Sequence, residues 1–170
     1  KEMVRGAPTA VVAASSDRKA AELVREAFEC AEALPPQSRS GRQGLPVFRV
    51  ALSTDWKGVG VCGALKNVYA IALGMCPVRA YGRLQRPTSN GMNDRAFMFT
   101  TALHEMESVV TACGGKRKTV YGLAGLGDMI VSGLGDGRNR ALGERICQEG
   151  HCKFIWKKSA QTHEGVAATK

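Results

Sequence analysis

At 170 residues the chain is long enough for one ordinary domain or parts of two; 44% apolar and 23% charged residues exclude wholesale disorder, and sparse Pro with irregular Gly excludes a collagen-like chain. No apolar run reaches the roughly 18 residues of a membrane span, and residues 1–8 carry no apolar core of a signal peptide. Lys and Arg number 24 against 15 Asp and Glu, a net charge of +9 that favours anionic partners without choosing among phosphates, nucleic acid and acidic lipid, while 6% aromatic content argues against a base-stacking surface.

In chain order, residues 9–15 form a short apolar run that predicts a buried strand. Asp17 can cap a helix over 18–29, where Ala21, Val24, Ala27 and Phe28 recur at helical spacing. Residues 31–46, with Pro35, Pro36, Gly41, Gly44 and Pro46 among polar residues, read as an exposed loop, and 48–52 as a second strand. Strand, helix, loop, strand is too little for a stable layered sheet, so this stretch is expected to complete something larger. From Gly58 the pattern turns helical. Residues 61–75 are rich in small residues and apolar on nearly all sides, as buried helices are. Residues 76–92 read as a loop. A helix follows over 94–113, with Phe97, Thr101, Leu103, Met106 and Val110 available for packing. Six glycines within 122–137 are too many for a long helix, and a last helix covers 139–148.

The six cysteines, at 30, 62, 76, 113, 147 and 152, contain no Cys-x-x-Cys pair. Cys147 and Cys152 flank His151, but no second pair completes a zinc site, so reduced thiols and no metal are expected. His104, His151 and His163 assemble into no nucleophilic triad.

Three segments can carry chemistry. Lys66 lies within Gly63-Ala64-Leu65-Lys66-Asn67-Val68, and a cation in so apolar a helix is costly to bury unless paired. Such a lysine suits proton transfer, and Asn67 beside it offers a donor and an acceptor; a lysine snorkelling at the helix edge is the alternative. Gly122-Leu123-Ala124-Gly125-Leu126-Gly127-Asp128 mimics a dinucleotide turn only loosely, with no β-rich run before it. Its glycines suit close packing and tight turns, and Asp128 can cap the run that follows or pair with a buried lysine. Gly135-Asp136-Gly137-Arg138-Asn139-Arg140 leads into a helix, where an arginine fork and an amide suit an anion as well as a solvated turn.

Taken together these segments resemble NAD(P)-dependent glycerol-3-phosphate dehydrogenases. Gly6-Ala7-Pro8-Thr9-Ala10-Val11-Val12 is similar to the strand closing that family's nucleotide-binding domain, Cys62-Gly63-Ala64-Leu65-Lys66-Asn67-Val68 to its catalytic-lysine motif, and the 122–128 and 137–140 segments to its substrate-domain motifs in the same order. Glu164-Gly165-Val166 resembles its Glu-Gly motif. The resemblance implies an α/β remnant of a Rossmann-type domain over 1–56. A mainly α-helical domain follows over 57–170, like the C-terminal domain of 6-phosphogluconate dehydrogenase and incomplete at its C-terminus. The family's Gly-rich cofactor motif, its Gly-Pro-Ser motif and a second lysine are absent, which implies a partial chain, inactive alone. Gly60 stands where an acidic residue is common, and Ser132 where Thr is common, retaining a hydroxyl.

The implied reaction moves a hydride between NAD or NADP and C2 of dihydroxyacetone phosphate or glycerol 3-phosphate, feeding glycerophospholipid synthesis. Lys66 would be the catalytic proton donor and acceptor. Asn67, Asp128, Ser132, Gly137, Arg138 and Asn139 would bind substrate, and Arg138 and Glu164 the cofactor. A cytoplasmic homodimer is expected, with a small phosphorylated substrate and no nucleic acid or membrane span. Two other readings remain at this point: a two-domain hydroxyacid dehydrogenase, which would not need the Arg138-Asn139 anion site, and a non-catalytic basic anion-binding fragment.

Overall fold

A computed structural model describes residues 8–29, 48–76 and 92–149. The loop expected at 31–46, nearly all of that at 76–92, and Cys30, His151, Cys152, His163 and Glu164 lie outside the described residues.

Strand β1 (Thr9–Ala14) pairs in parallel with β2 (Phe48–Ser53), in register from Thr9 opposite Phe48 to Ala14 opposite Ser53. Helix α1 (Arg18–Phe28) is the crossover between them. Asp17 starts it as expected, its Oδ1 accepting the Lys19 N–H at 2.9 Å. Ala21 and Val50 are buried where α1 meets the strands, Phe28 and Phe48 stack with centroids 5.6 Å apart, and Glu29 Oε1 accepts the Val50 N–H at 2.7 Å.

Helix α2 (Trp56–Met75) begins five residues before the apolar run that announced it. Its first turn contains Gly58 and Gly60, poor helix formers, and is held by a cap: Asp55 Oδ1 accepts the Gly58 N–H at 3.1 Å. By length and composition α2 is long and apolar enough to cross a membrane, although Lys57 and Lys66 interrupt its apolar run. In this fold it is the central helix, with α3 (Met92–Ala112), α4 (Arg117–Val120), α5 (Asp128–Leu134) and α6 (Arg138–Glu149) all packed against it. Only part of it is buried: Cys62, Tyr69, Ala70 and Leu73 face the core, whereas Ala64 and Met75 are exposed. The expectation of a helix buried on nearly all sides therefore holds for one face.

Ala102, Leu103, Met106 and Val110 of α3 complete the core with Val120 and Met129. Thr101 is half-buried, and Phe97, expected to pack, is 73% exposed. Phe97 precedes Met106 by two and a half turns and so lies on the opposite face; Phe99, nearly two full turns before Met106, packs on the core instead. The glycine-rich stretch, which follows α4, breaks into a π-helical turn at Leu123–Gly127, α5, and the 135–137 turn.

Helices α2 and α6 meet backbone to backbone. A Cβ added at Gly74 would lie 2.1 Å from the Arg140 carbonyl oxygen, and one at Gly143 would lie 2.0 Å from that of Ile71 and 2.9 Å from the Gly74 Cα. Backbone on both sides cannot yield as a side-chain tip can. Gly143→Ala is therefore expected to destabilise the protein by about 1–3 kcal/mol, the range for overpacking a close-packed core. Urea unfolding reads this as a lower midpoint at unchanged slope; an unshifted midpoint would mean the seam opens at no cost.

Candidate active site

Lys66 sits midway along α2 and Asp128 opens α5, 62 positions later. Their side chains form an ion pair through Lys66 Nζ and Asp128 Oδ2 while remaining 24% and 36% exposed. The cation in an apolar helix is thus paired and within reach of solvent, which meets the condition for placing it there. Asp128 is aimed by what precedes it. The Gly127 N–H reaches back to the Gly122 carbonyl at 3.1 Å, a five-residue span that widens the turn just before α5. Such π turns are frequent at functional sites. Gly127 is the N-cap of α5, and Asp128 is the helix's first residue, not its cap. Ser132, one turn further along, points its Oγ at Asp128 Oδ1 from 3.5 Å, the outer limit of a hydrogen bond.

Asn67 uses both ends of its amide. Nδ2 donates to the Gly63 carbonyl at 3.2 Å, and Oδ1 accepts from Asn139 Nδ2 at 3.0 Å. Asn139 is buried, 7% exposed, on the first turn of α6. This bond ties the lysine-bearing helix to the helix on which Arg138 stands, exposed, one residue earlier. Gly137, Arg138, Arg140, Glu144 and Arg145 wall an open cleft of about 280 Å³ at that helix start. The fold thus gathers Lys66 and Asn67 of α2, Asp128 and Ser132 of α5, and Gly137, Arg138 and Asn139 of the turn and α6 onto three adjoining elements. Cys62, one turn before Lys66, is fully buried, and burial, with Asp55 and Asp128 nearby, pushes its thiol up to about 11, so it is no nucleophile at neutral pH.

Two residues that sequence reasoning passed over hold this arrangement. Asp55 caps α2 and also accepts the Lys116 N–H at 2.8 Å and the Thr119 hydroxyl at 2.5 Å. Burial by itself would push its carboxyl up. The Thr119, Lys116 and Gly58 hydrogen bonds and the Lys116 charge outweigh that and hold it below its usual value. An N-cap residue ahead of an apolar helix was the available signal, masked because the helix start was placed too late. Arg140 is the second: its Nη1 donates to the Leu134 and Gly135 carbonyls and its Nη2 to Glu144. A larger cavity, about 470 Å³, lies at the strand–helix seam around Asp55, Lys116 and Thr119.

Residues 55–170 match the family described as NAD-dependent glycerol-3-phosphate dehydrogenase C-terminus. The chain belongs to this family. A glycerol-3-phosphate dehydrogenase (NAD(P)+) of Solidesulfovibrio magneticus is 36% identical over 166 residues, covering 97% of this chain and 43% of the relative; one from Chlorobium phaeobacteroides is 36% identical over 164 residues, covering 96% and 42%. The chain thus spans less than half the length of these curated relatives. The crystal structure of glycerol-3-phosphate dehydrogenase from Coxiella burnetii is similar with a TM-score of 0.68 at 32% identity, covering 99% of this chain and 45% of that one. A structure from Dunaliella salina, at 21% identity and a TM-score of 0.73, shares the fold. Within the glycerol-3-phosphate dehydrogenase family, this chain's match begins at Asp55, the cap of α2.

Proposed function

We propose that this chain is the substrate-binding part of an NAD(P)-dependent glycerol-3-phosphate dehydrogenase. In this reading residues 1–56 are the end of a Rossmann-type nucleotide domain, and 57–170 are a helical domain of the 6-phosphogluconate dehydrogenase C-terminal type. The parallel β1–α1–β2 unit supports the first assignment and the helices packed around α2 support the second. A cytoplasmic homodimer belongs to the same proposal.

One observation carries the reading: the Lys66–Asp128 pair and the Arg138 helix start are joined through the Asn67–Asn139 hydrogen bond. An acid–base group thereby stands beside a cationic helix N-terminus, which is what reducing a phosphorylated ketone requires. Lys66 Nζ gives a proton to the C2 oxygen in reduction and takes it back in oxidation, and Asp128 orients that ammonium group. Asn67 and Ser132 present polar atoms to the substrate hydroxyls. Arg138, with the N–H groups opening α6, receives the phosphate; Asn139, whose amide is engaged with Asn67, fixes the spacing between the two halves of the site. The dinucleotide supplies or accepts the hydride when bound, and exposed Arg138 at the helix start has the charge to meet one of its phosphates. A hydroxyacid without phosphate would leave that cation unused.

Arg138→Lys in the full-length enzyme tests the reading. Lysine keeps the charge but loses the planar fork, so kcat/KM for dihydroxyacetone phosphate should fall by about 10-fold, while turnover of unphosphorylated dihydroxyacetone stays as it was. An equal loss on both substrates would remove phosphate from the role of Arg138.

A further inference from the structure

Arginine 140 is the unusual member of this basic turn. Its side chain is only 18% exposed, low for arginine, and its hydrogen bonds go to the protein. Nη1 donates to the last carbonyls of α5, Leu134 at 2.8 Å and Gly135 at 3.1 Å, and Nη2 donates to Glu144 one turn along α6 at 2.8 Å. Its own carbonyl lies against Gly74 of α2. One residue therefore touches all three elements that build the site. A guanidinium suits this position because its donors diverge in a rigid plane and because a cation is stabilised at a helix C-terminus. Between its two anchors runs the 135–137 turn, where the Gly137 N–H meets the Gly135 carbonyl at 2.9 Å and the Gly137 carbonyl accepts the Ala141 N–H at 3.0 Å.

We propose that Arg140 is a positioning residue: by clamping the end of α5 to α6 it sets the turn from which Arg138 projects, and so determines how well the site receives a phosphorylated substrate. Arg140 borders the same cleft, but its guanidinium donors are bonded to Leu134, Gly135 and Glu144, so it acts on the phosphate through the turn. The kinetic consequence rests on the dehydrogenase reading above, whereas the clamp itself does not.

The test compares Arg140→Met, Arg140→Lys and Glu144→Gln in the full-length protein by two readouts. Amide hydrogen exchange of Gly137 and Ala141 should quicken about 10-fold in Arg140→Met, as expected for losing charge-assisted bonds, with the α2 amides around Leu73 unchanged. The KM for dihydroxyacetone phosphate should rise about 10-fold or more while the KM for NADH and the turnover of dihydroxyacetone hold, because a small displacement of a binding group is costly. Arg140→Lys should recover part of this, and Glu144→Gln should show a smaller rise of the same kind; these two carry the test if Arg140→Met does not fold. Unchanged exchange at Gly137 would overturn the clamp. Faster exchange with an unchanged KM would overturn its role in substrate binding. A wild-type protein that fails to reduce dihydroxyacetone phosphate would sink the dehydrogenase reading, and the exchange data would still decide the clamp.

Discussion

Replacing Lys66 by methionine in the full-length enzyme is expected to lower kcat about 100-fold or more in both directions, the range for removing a positioned acid–base group. The loss corresponds to roughly 3 kcal/mol of transition-state stabilisation. Methionine keeps an unbranched apolar stem one atom shorter than lysine, so α2 and its buried face, with Cys62 and Tyr69, have no reason to change. Asp128, one-third exposed, keeps contact with solvent when its partner is gone and leaves no buried orphan charge. Fluorescence titration with NADH should therefore give an almost unchanged Kd. The result that would remove Lys66 from the chemistry is turnover within a few-fold of wild type. Equal damage to NADH affinity and turnover would instead point to a structural role.

The second large effect is on stability. Asp55 is 6% exposed and accepts three hydrogen bonds, two of them from backbone N–H groups. Asp55→Ala strands the Gly58 and Lys116 N–H groups and the Thr119 hydroxyl. The Gly58 bond is buried and the other two are partly buried; at about 1–3 kcal/mol for the first and about 0.5–1.5 kcal/mol for each of the others, the loss should total roughly 2–6 kcal/mol, a large part of the 5–15 kcal/mol that a domain has. Asp55→Asn should be nearly as damaging, since its amide would turn donors toward donors. The pH dependence follows from the depressed carboxyl. Its pKa in the fold lies below its unfolded value of about 3.9, so its contribution is complete above that value and is lost as pH falls through the folded pKa. Urea midpoints of wild type and Asp55→Asn should therefore converge as the solution is acidified below about pH 4. A gap that stays constant to the lowest accessible pH would show that the carboxylate charge is not what the site uses.

The local elements were largely legible in the sequence, because their signals are local. Apolar β-prone runs marked β1 and β2, Asp17 marked the start of α1, and helical spacing marked the core face of α3 apart from Phe97. Glycine density correctly predicted that 122–137 could not be one helix, since each glycine weakens a helix interior. It could not predict the π turn, which depends on Gly125 settling against the Val120 backbone.

The site divides in the same way. The residue types that could do chemistry, Lys66 and Asn67, Asp128, and Arg138 and Asn139, stood out in the sequence because a cation in an apolar helix and an arginine after a glycine turn are locally conspicuous. Their partnership was not visible, since Lys66 and Asp128 are 62 positions apart, and Asn67 and Asn139 are 72. Those pairings exist because Gly74 and Gly143 let the backbones of α2 and α6 touch, and because Asp55 and Arg140 pin the ends of the helices involved. Asp55 offers a cap signal in sequence and Arg140 sits in a basic turn, but the bonds of Asp55 to Lys116 and Thr119 and of Arg140 to the end of α5 exist only in the fold. The sequence by itself determined which side chains are available and which helix faces are apolar, through period and composition. Tertiary structure alone decided which charges are paired and which backbone groups they satisfy, because those outcomes depend on distances between segments that no local pattern encodes.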